Sequence, residues 1–357
     1  MKKGILLITL IFAGMVMVTA QQKQPSVTIA FPNHMVEFFA QPANANSKTL
    51  PLIQAKTKAN ESFGLSFQGV DGNSSVIELL DSTGKMVKAI SVNELLGKTS
   101  NKGVKLLSST VAGSFNRSEN EYEIASPQGK YSVVVTSLAT SGRSTKEAPA
   151  KMLIRIVLKN QPKTISSTRV ILPFDGIAET KVNGFILSGK KSTQPMFASV
   201  FPKAEKLTVE KKNIVVTTKV LKTDYETIAL LLSFDCTNTK EEAAAALLAL
   251  DQKSEINISI VSVSNATTAK PTDTVSYQII CTNIGTGGAK DIVISNPVSA
   301  GTQYLEGSAV GNDTQITFDR ASTVAPGQGE VKTINWKMTK VLNVGEEKIV
   351  SFKVIVQ

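Results

Sequence analysis

"TVSYQIICTNIGTGGAKDIVISNPV", residues 274–298, is the stretch whose reading decides the fold. Val275, Tyr277, Ile279 and Cys281 fall on one side of an extended chain, and Ser276 and Gln278 on the other, because side chains along a strand alternate with a period of two. Gly285, Gly287 and Gly288 then break the pattern, and Ile292-Val293-Ile294-Ser295 resumes it with β-branched residues. The stretch is strand, glycine turn, strand, and it holds no evident catalytic group. "GTGGAK" (285–290) has a phosphate loop's composition, but a phosphate loop must open a helix whose N-terminal amides face the anion. Lys290 is followed by Asp291 and a strand, so the glycines are read as turn residues.

The same alternation extends outward. "INISIVSVS", "TQYLEG", "TQITF", "TINWKMTKV" and "KIVSFKVIVQ" join the two strands above to give seven, enough for a two-sheet antiparallel sandwich over 255–357. Upstream, "SVIELLDSTGKMVKAI" (75–90) reads as a hairpin turning at Asp81-Ser82-Thr83-Gly84, and Glu210-Lys211-Lys212-Asn213 as another. Residues 40–62, rich in Ala, Asn, Lys and Thr, read as a long loop. One helix is expected, "TKEEAAAALLALDQK" (239–253). Thr239 and Glu242 form a capping box there, and Leu247, Leu248 and Leu250 supply an apolar side that either docks on the preceding strands or leaves the helix a stiff spacer. The fold expected is all-β: tandem Ig-like antiparallel β-sandwich domains with one short helix before the last. The boundaries fall at 1–20 (signal peptide), 21–162, 163–254 and 255–357.

Met1-Lys2-Lys3, an apolar run from Gly4 to Val18 and Val18-Thr19-Ala20 read as a secretory signal with cleavage after Ala20. An uncleaved anchor is the alternative, but the run is shorter than the ~20 residues a spanning helix needs. No second run of that length follows, so no integral membrane segment is expected after cleavage. The expected location is exported: periplasm, outer surface or outside. The formal charge of +10 is spread along the chain, with Lys56 and Lys58, Lys190 and Lys191, and Lys211 and Lys212 as small groups. Scattered lysines favour a solvated surface, leave an anionic glycan as a candidate ligand, and lack the clustered basic stripe with interleaved aromatics that nucleic acid needs.

Chemistry is sparse. His34 is the single histidine and has no cysteine near it in sequence. Cys236 and Cys281 either form a disulfide in an oxidising compartment or stay free, with Cys281 replacing a core valine. Two cysteines and one histidine are too few for a zinc cluster without carboxylates. Glu119, Glu121 and Glu123 share a face if extended, and Asp71-Gly72-Asn73 offers turn oxygens. That leaves calcium as a weaker alternative to a solvated strand face. No catalytic, cofactor-binding or metal residue is assigned, and no cofactor is expected.

The last third of the chain resembles the bacterial surface-repeat family catalogued as domain of unknown function eleven. Asp273-Thr274-Val275, Tyr277, Thr282-Asn283, Gly285, Ala300-Gly301, Tyr304 and Gly307-Ser308 fall on the family's pattern, and Trp336 and Gly345 on its closing strands. Thr272 stands where glycine is usual, and Asn296-Pro297 where Asp-Thr is. The resemblance implies an extracytoplasmic Ig-like sandwich with a spacer or adhesive role and brings no catalytic residues. The function expected is a non-enzymatic structural or adhesive protein of the cell surface or periplasm. Its expected partners are other envelope proteins or itself. The alternative is a carbohydrate- or ligand-binding module of an export or uptake system.

Overall fold

Strand-forming patterns recur along nearly the whole chain, and a computed structural model of the protein turns them into sheets. The described residues are 6–9, 26–30, 34–39, 49–57, 60–68, 75–95, 103–112, 117–126, 129–139, 152–161, 163–191, 194–222, 227–250, 256, 258–283, 285, 287–321 and 329–357. They form two compact units, one of residues 23–254 and one of residues 1–22 with 255–357. The all-β antiparallel sandwich expected from the alternation is what the chain adopts.

The larger unit holds two nine-stranded sheets. Tyr122, Val133, Val135, Ile154, Ile156, Phe185, Leu232 and Phe234 line one inner face, and Phe63, Ile77, Leu79, Val170, Leu172 and Ile214 belong to the other. The boundary expected between residues 162 and 163 is not a boundary. Met152–Lys159 pairs with Gly129–Ala139 on one side and Thr227–Cys236 on the other. Ser167–Asp175 pairs with Ser75–Leu80 and Asn213–Lys219. Each sheet recruits strands from both sequence blocks, because neither block alone covers its own apolar face.

The loop expected over 40–62 contains the strand Thr49–Thr57. Ile53, Ala55 and Thr57 are buried while Gln54 and Lys56 face out, so Lys56 lies on the solvent side of an alternating strand. The expected hairpin turns form. Gly84 has φ +80°, and Asp81 Oδ1 accepts hydrogen bonds from the Thr83 and Lys85 amides at 2.9 and 3.0 Å. Lys211 takes φ +57° between Ala204–Glu210 and Asn213–Lys219.

The helix Lys240–Ala249 starts as read, with the Glu242 amide donating to Thr239 Oγ1 at 3.1 Å and Glu242 Oε2 accepting from the Asn238 amide at 2.9 Å. It docks on Ile186 and Phe197 through Ala243 and Leu247, so it packs on the preceding strands and is not a spacer. Leu248 remains 59 % exposed because only positions four apart face the sheet. Gly184 lets a neighbouring strand approach closely, since a Cβ there would run into the Ala198 carbonyl. A second short helix, Val92–Leu95, escaped the sequence reading, although Ser91 and Glu94 form a capping box in which the Ser91 amide donates to Glu94 Oε2 at 2.7 Å.

In the smaller unit a four-stranded sheet (Leu6–Thr9, Ile292–Pro297, Val331–Met338, Thr314–Arg320) packs its inner face against a five-stranded one. The five-stranded sheet comprises Ile258–Ser264, Thr274–Asn283, Glu347–Val356, Thr302–Tyr304 and Val310–Gly311. All seven strands read over 255–357 are present. Ile279, Cys281, Ile294, Ile334 and Trp336 are completely buried between the sheets. Leu6–Thr9, within the expected signal, lies parallel to Ile292–Pro297. No helix among the described residues is long and apolar enough to cross a membrane.

Candidate ligand groove

The turn around Gly285, Gly287 and Gly288 is a structural knot and not a binding loop. Asn283 is completely buried; its Nδ2 donates to the Gly287 and Leu342 carbonyls at 2.8 and 2.9 Å, and its Oδ1 accepts from the Gly285 amide at 2.9 Å. The chain leaves the turn through Asp291 at φ +57° straight into Ile292–Pro297, with no helix to face an anion.

The residues singled out for chemistry are not brought together. His34 opens the strand His34–Phe39, where it lies opposite Thr57. Cys236 ends the strand Thr227–Cys236 and packs on the core of the larger unit, whereas Cys281 is inside the core of the smaller one. Both thiols are free, which corrects the disulfide alternative: each sulfur is absorbed by its own apolar core. Glu119, Glu121 and Glu123 do share one strand and one face, but Glu119 accepts from Arg117 at 2.6 Å and Thr136 at 3.2 Å, and Glu123 pairs with Lys130 at 2.9 Å. Basic partners thus occupy two of the three carboxylates. Asp71-Gly72-Asn73 lies outside the described residues. Among the described residues, no three His, Cys, Asp or Glu side chains gather as a metal ion would require.

Burial pushes the Cys281 thiol up to about 12, with the nearby Glu347 charge adding to it. Burial also raises the Cys236 thiol, reinforced by Asp235. We expect that in a Cys236→Ser variant no thiol reacts with a disulfide reagent at pH 8 until the protein is unfolded; prompt native-state reaction would contradict the burial of Cys281. The folded state holds thiol protons that the unfolded chain releases near its ordinary value of about 8.5, so stability falls as pH rises above that value.

A groove lies on the outer face of the five-stranded sheet. Thr274–Asn283 and Glu347–Val356 are antiparallel with Ser276 opposite Lys353 and Gln278 opposite Ser351. Tyr277 and Phe352 point the other way and stack at 5.2 Å beneath this floor. Phe352 in turn contacts Trp336 at 5.9 Å, so the floor rests on the rigid core. The segment Leu305–Val310 forms the wall of an open groove of about 580 Å³.

That wall is pinned at several points. The Leu305 amide donates to the Lys353 carbonyl at 2.9 Å, the Lys353 amide to Ser308 Oγ at 3.0 Å, and the Ala309 amide to the Tyr304 hydroxyl at 3.0 Å. Gly307 turns the chain at φ +74°. Glu306 is gripped by both Arg320 guanidinium nitrogens, Oε1 at 2.8 Å and Oε2 at 3.0 Å. Arg320 also donates to the Gly329 carbonyl at 2.8 Å and covers the Phe318 ring at 5.6 Å, and its hydrogen bond to Glu306 raises its already high pKa.

The groove therefore presents hydroxyls, a carboxamide, an ammonium and an oriented carboxylate on a stiff base. Such a surface exchanges hydrogen bonds with a polyhydroxylated ligand. The sequence reading missed it because Ser276 and Gln278 look like ordinary solvent-facing positions. Their alternation marks them as outward, but only the pairing with Glu347–Val356 sets Lys353 and Ser351 beside them.

No family model matches the chain. No curated protein matches it either. Among solved structures it is similar to a kojibiose phosphorylase from human microbiome (TM-score 0.34, 10 % identity, 65 % of this chain and 37 % of that one). It is also similar to a polysaccharide lyase (0.36, 9 %, 90 % and 46 %) and to a heparinase III gene product (0.30, 10 %, 75 % and 41 %). The chain spans less than half the length of each. The expectation of a non-enzymatic structural or adhesive protein is corrected here, since the solved structures it resembles are carbohydrate-active enzymes. At these scores the likeness transfers neither substrate nor chemistry to this chain.

Proposed function

We propose that this is an exported, carbohydrate-directed protein whose C-terminal sandwich holds a glycan in the groove between Leu305–Val310 and the strands of Ser276, Gln278 and Ser351. One observation carries the reading: two polar rungs, Ser276–Lys353 and Gln278–Ser351, lie beside a carboxylate fixed by Arg320, on a floor backed by stacked aromatic rings. Donors and acceptors spaced by a fixed strand register match the hydroxyl pattern of sugars, and the stiff floor lowers the ordering cost of binding. The signal-like residues 1–20 and the surface-repeat resemblance support an extracytoplasmic setting.

The test is calorimetric titration of the full chain with neutral and uronic-acid-bearing oligosaccharides. Saturable binding is expected, and a Gln278→Ala, Ser351→Ala double variant weakens it by about tenfold with unchanged circular dichroism, as loss of one to two hydrogen bonds requires. Absence of saturable binding across the panel would overturn the proposal.

A further inference from the structure

The charges lining the groove are not balanced. Glu306 is its single carboxylate, and Arg320 already neutralises it through two contacts of 2.8 and 3.0 Å. Lys353 is its single lysine, exposed, on the outward face opposite Ser276. Three other lysines of this unit have carboxylate partners: Lys332 with Glu330 at 2.6 Å, and Lys340 and Lys348 with Asp313 at 3.1 and 2.8 Å. Among the described residues the Lys353 ammonium has no such partner within 4.0 Å. The groove thus carries one positive charge that the protein itself does not compensate, beside hydroxyl and amide groups suited to a sugar ring. The chain as a whole is basic, which draws anions toward it.

We infer that the groove selects acidic glycans, with the Lys353 ammonium pairing with a carboxylate or sulfate on the sugar while Gln278, Ser276 and Ser351 engage its hydroxyls. This rests on the carbohydrate-binding reading above and narrows it to a class of ligand. An ammonium–anion contact at a half-open site outweighs a neutral hydrogen bond, and salt screens it over roughly 8 Å at physiological ionic strength. Selectivity for acidic over neutral chains should therefore weaken as salt is added.

The experiment titrates the full chain, and the Lys353→Gln, Lys353→Arg and Lys337→Gln variants, with a uronate-containing tetrasaccharide and a neutral tetrasaccharide of equal length, at low and physiological salt. Lys337 is an exposed lysine of the other sheet and controls for overall charge. Lys353→Gln is expected to weaken the acidic ligand about tenfold and leave the neutral one unchanged, with Lys353→Arg restoring most of the loss and Lys337→Gln behaving as the parent. Equal binding of both sugars with no effect at Lys353 overturns the acidic selectivity and leaves the carbohydrate reading intact. Binding of neither sugar overturns both. Equal losses at Lys353 and Lys337 also overturn it, by assigning the effect to overall charge.

Discussion

A Trp336→Ala substitution should destabilise the C-terminal unit by about 3–5 kcal/mol, the range for removing a large aromatic from a packed core. Trp336 has no exposed surface and is among the largest fully buried side chains of the molecule. It lies between Ile294 and Ile316 in register on its own sheet and reaches across to Phe352 at 5.9 Å. Gly311 sits so close that a Cβ there would come within 3.2 Å of the indole. The indole Nε1 is buried without a hydrogen-bond partner, so Trp336→Phe removes an unsatisfied donor together with volume and should cost distinctly less than alanine. Denaturant unfolding followed by far-ultraviolet circular dichroism measures both, because the variants lack the single tryptophan as a fluorophore. An alanine variant within about 1 kcal/mol of the parent would show that the two sheets do not depend on this contact. The same rings underlie the groove, so the alanine variant should lose glycan binding as well.

The second large effect is expected at Asn283. Alanine there leaves the Gly287 carbonyl and the Gly285 amide buried without these partners, and leaves the Leu342 carbonyl with the Ala289 amide alone, at a combined cost of about 2–3 kcal/mol. Aspartate should not rescue it. Its acceptor oxygen can still serve the Gly285 amide, but the second oxygen would face two carbonyls where the amide nitrogen now donates. The order parent, then alanine with aspartate no better, is read from denaturant midpoints. An aspartate variant as stable as the parent would mean that the paired carbonyls find other donors and that Asn283 is not the anchor of the turn.

These two residues show what kind of information the sequence carries. The strand–turn–strand reading of residues 274–298 needed only alternation and the position of glycines, and it also removed the phosphate-loop interpretation, because no helix follows Lys290. The capping box of Lys240–Ala249 and the turn at Asp81–Gly84 were legible for the same reason: their hydrogen bonds join residues two to four apart. The strand Thr49–Thr57 was not, since lysine-rich composition obscured an alternation that burial later revealed in Ile53 and Ala55. The expected domain break near residue 162 failed because sheet membership is set by partners far along the chain. Nothing local to Met152–Lys159 says that it lies between Gly129–Ala139 and Thr227–Cys236.

The groove shows the same division more sharply. Period-two alternation alone set Ser276 and Gln278 on the face opposite the apolar one, and Ser351 and Lys353 join them only through the pairing of their strands. Their assembly depends on a register that spans some seventy-five positions, on a wall fixed by hydrogen bonds to Tyr304 and Lys353, and on the grip of Arg320 on Glu306. By itself, then, the sequence determined the all-β class, the turns and the capped start of the helix Lys240–Ala249, because short-range periodicity and capping govern them. The tertiary structure alone decided that residues 23–254 form one unit, that each cysteine is free within its own core, and that one uncompensated lysine faces a polar groove. Those outcomes are fixed by long-range strand pairing and by which charges are left without a neighbour.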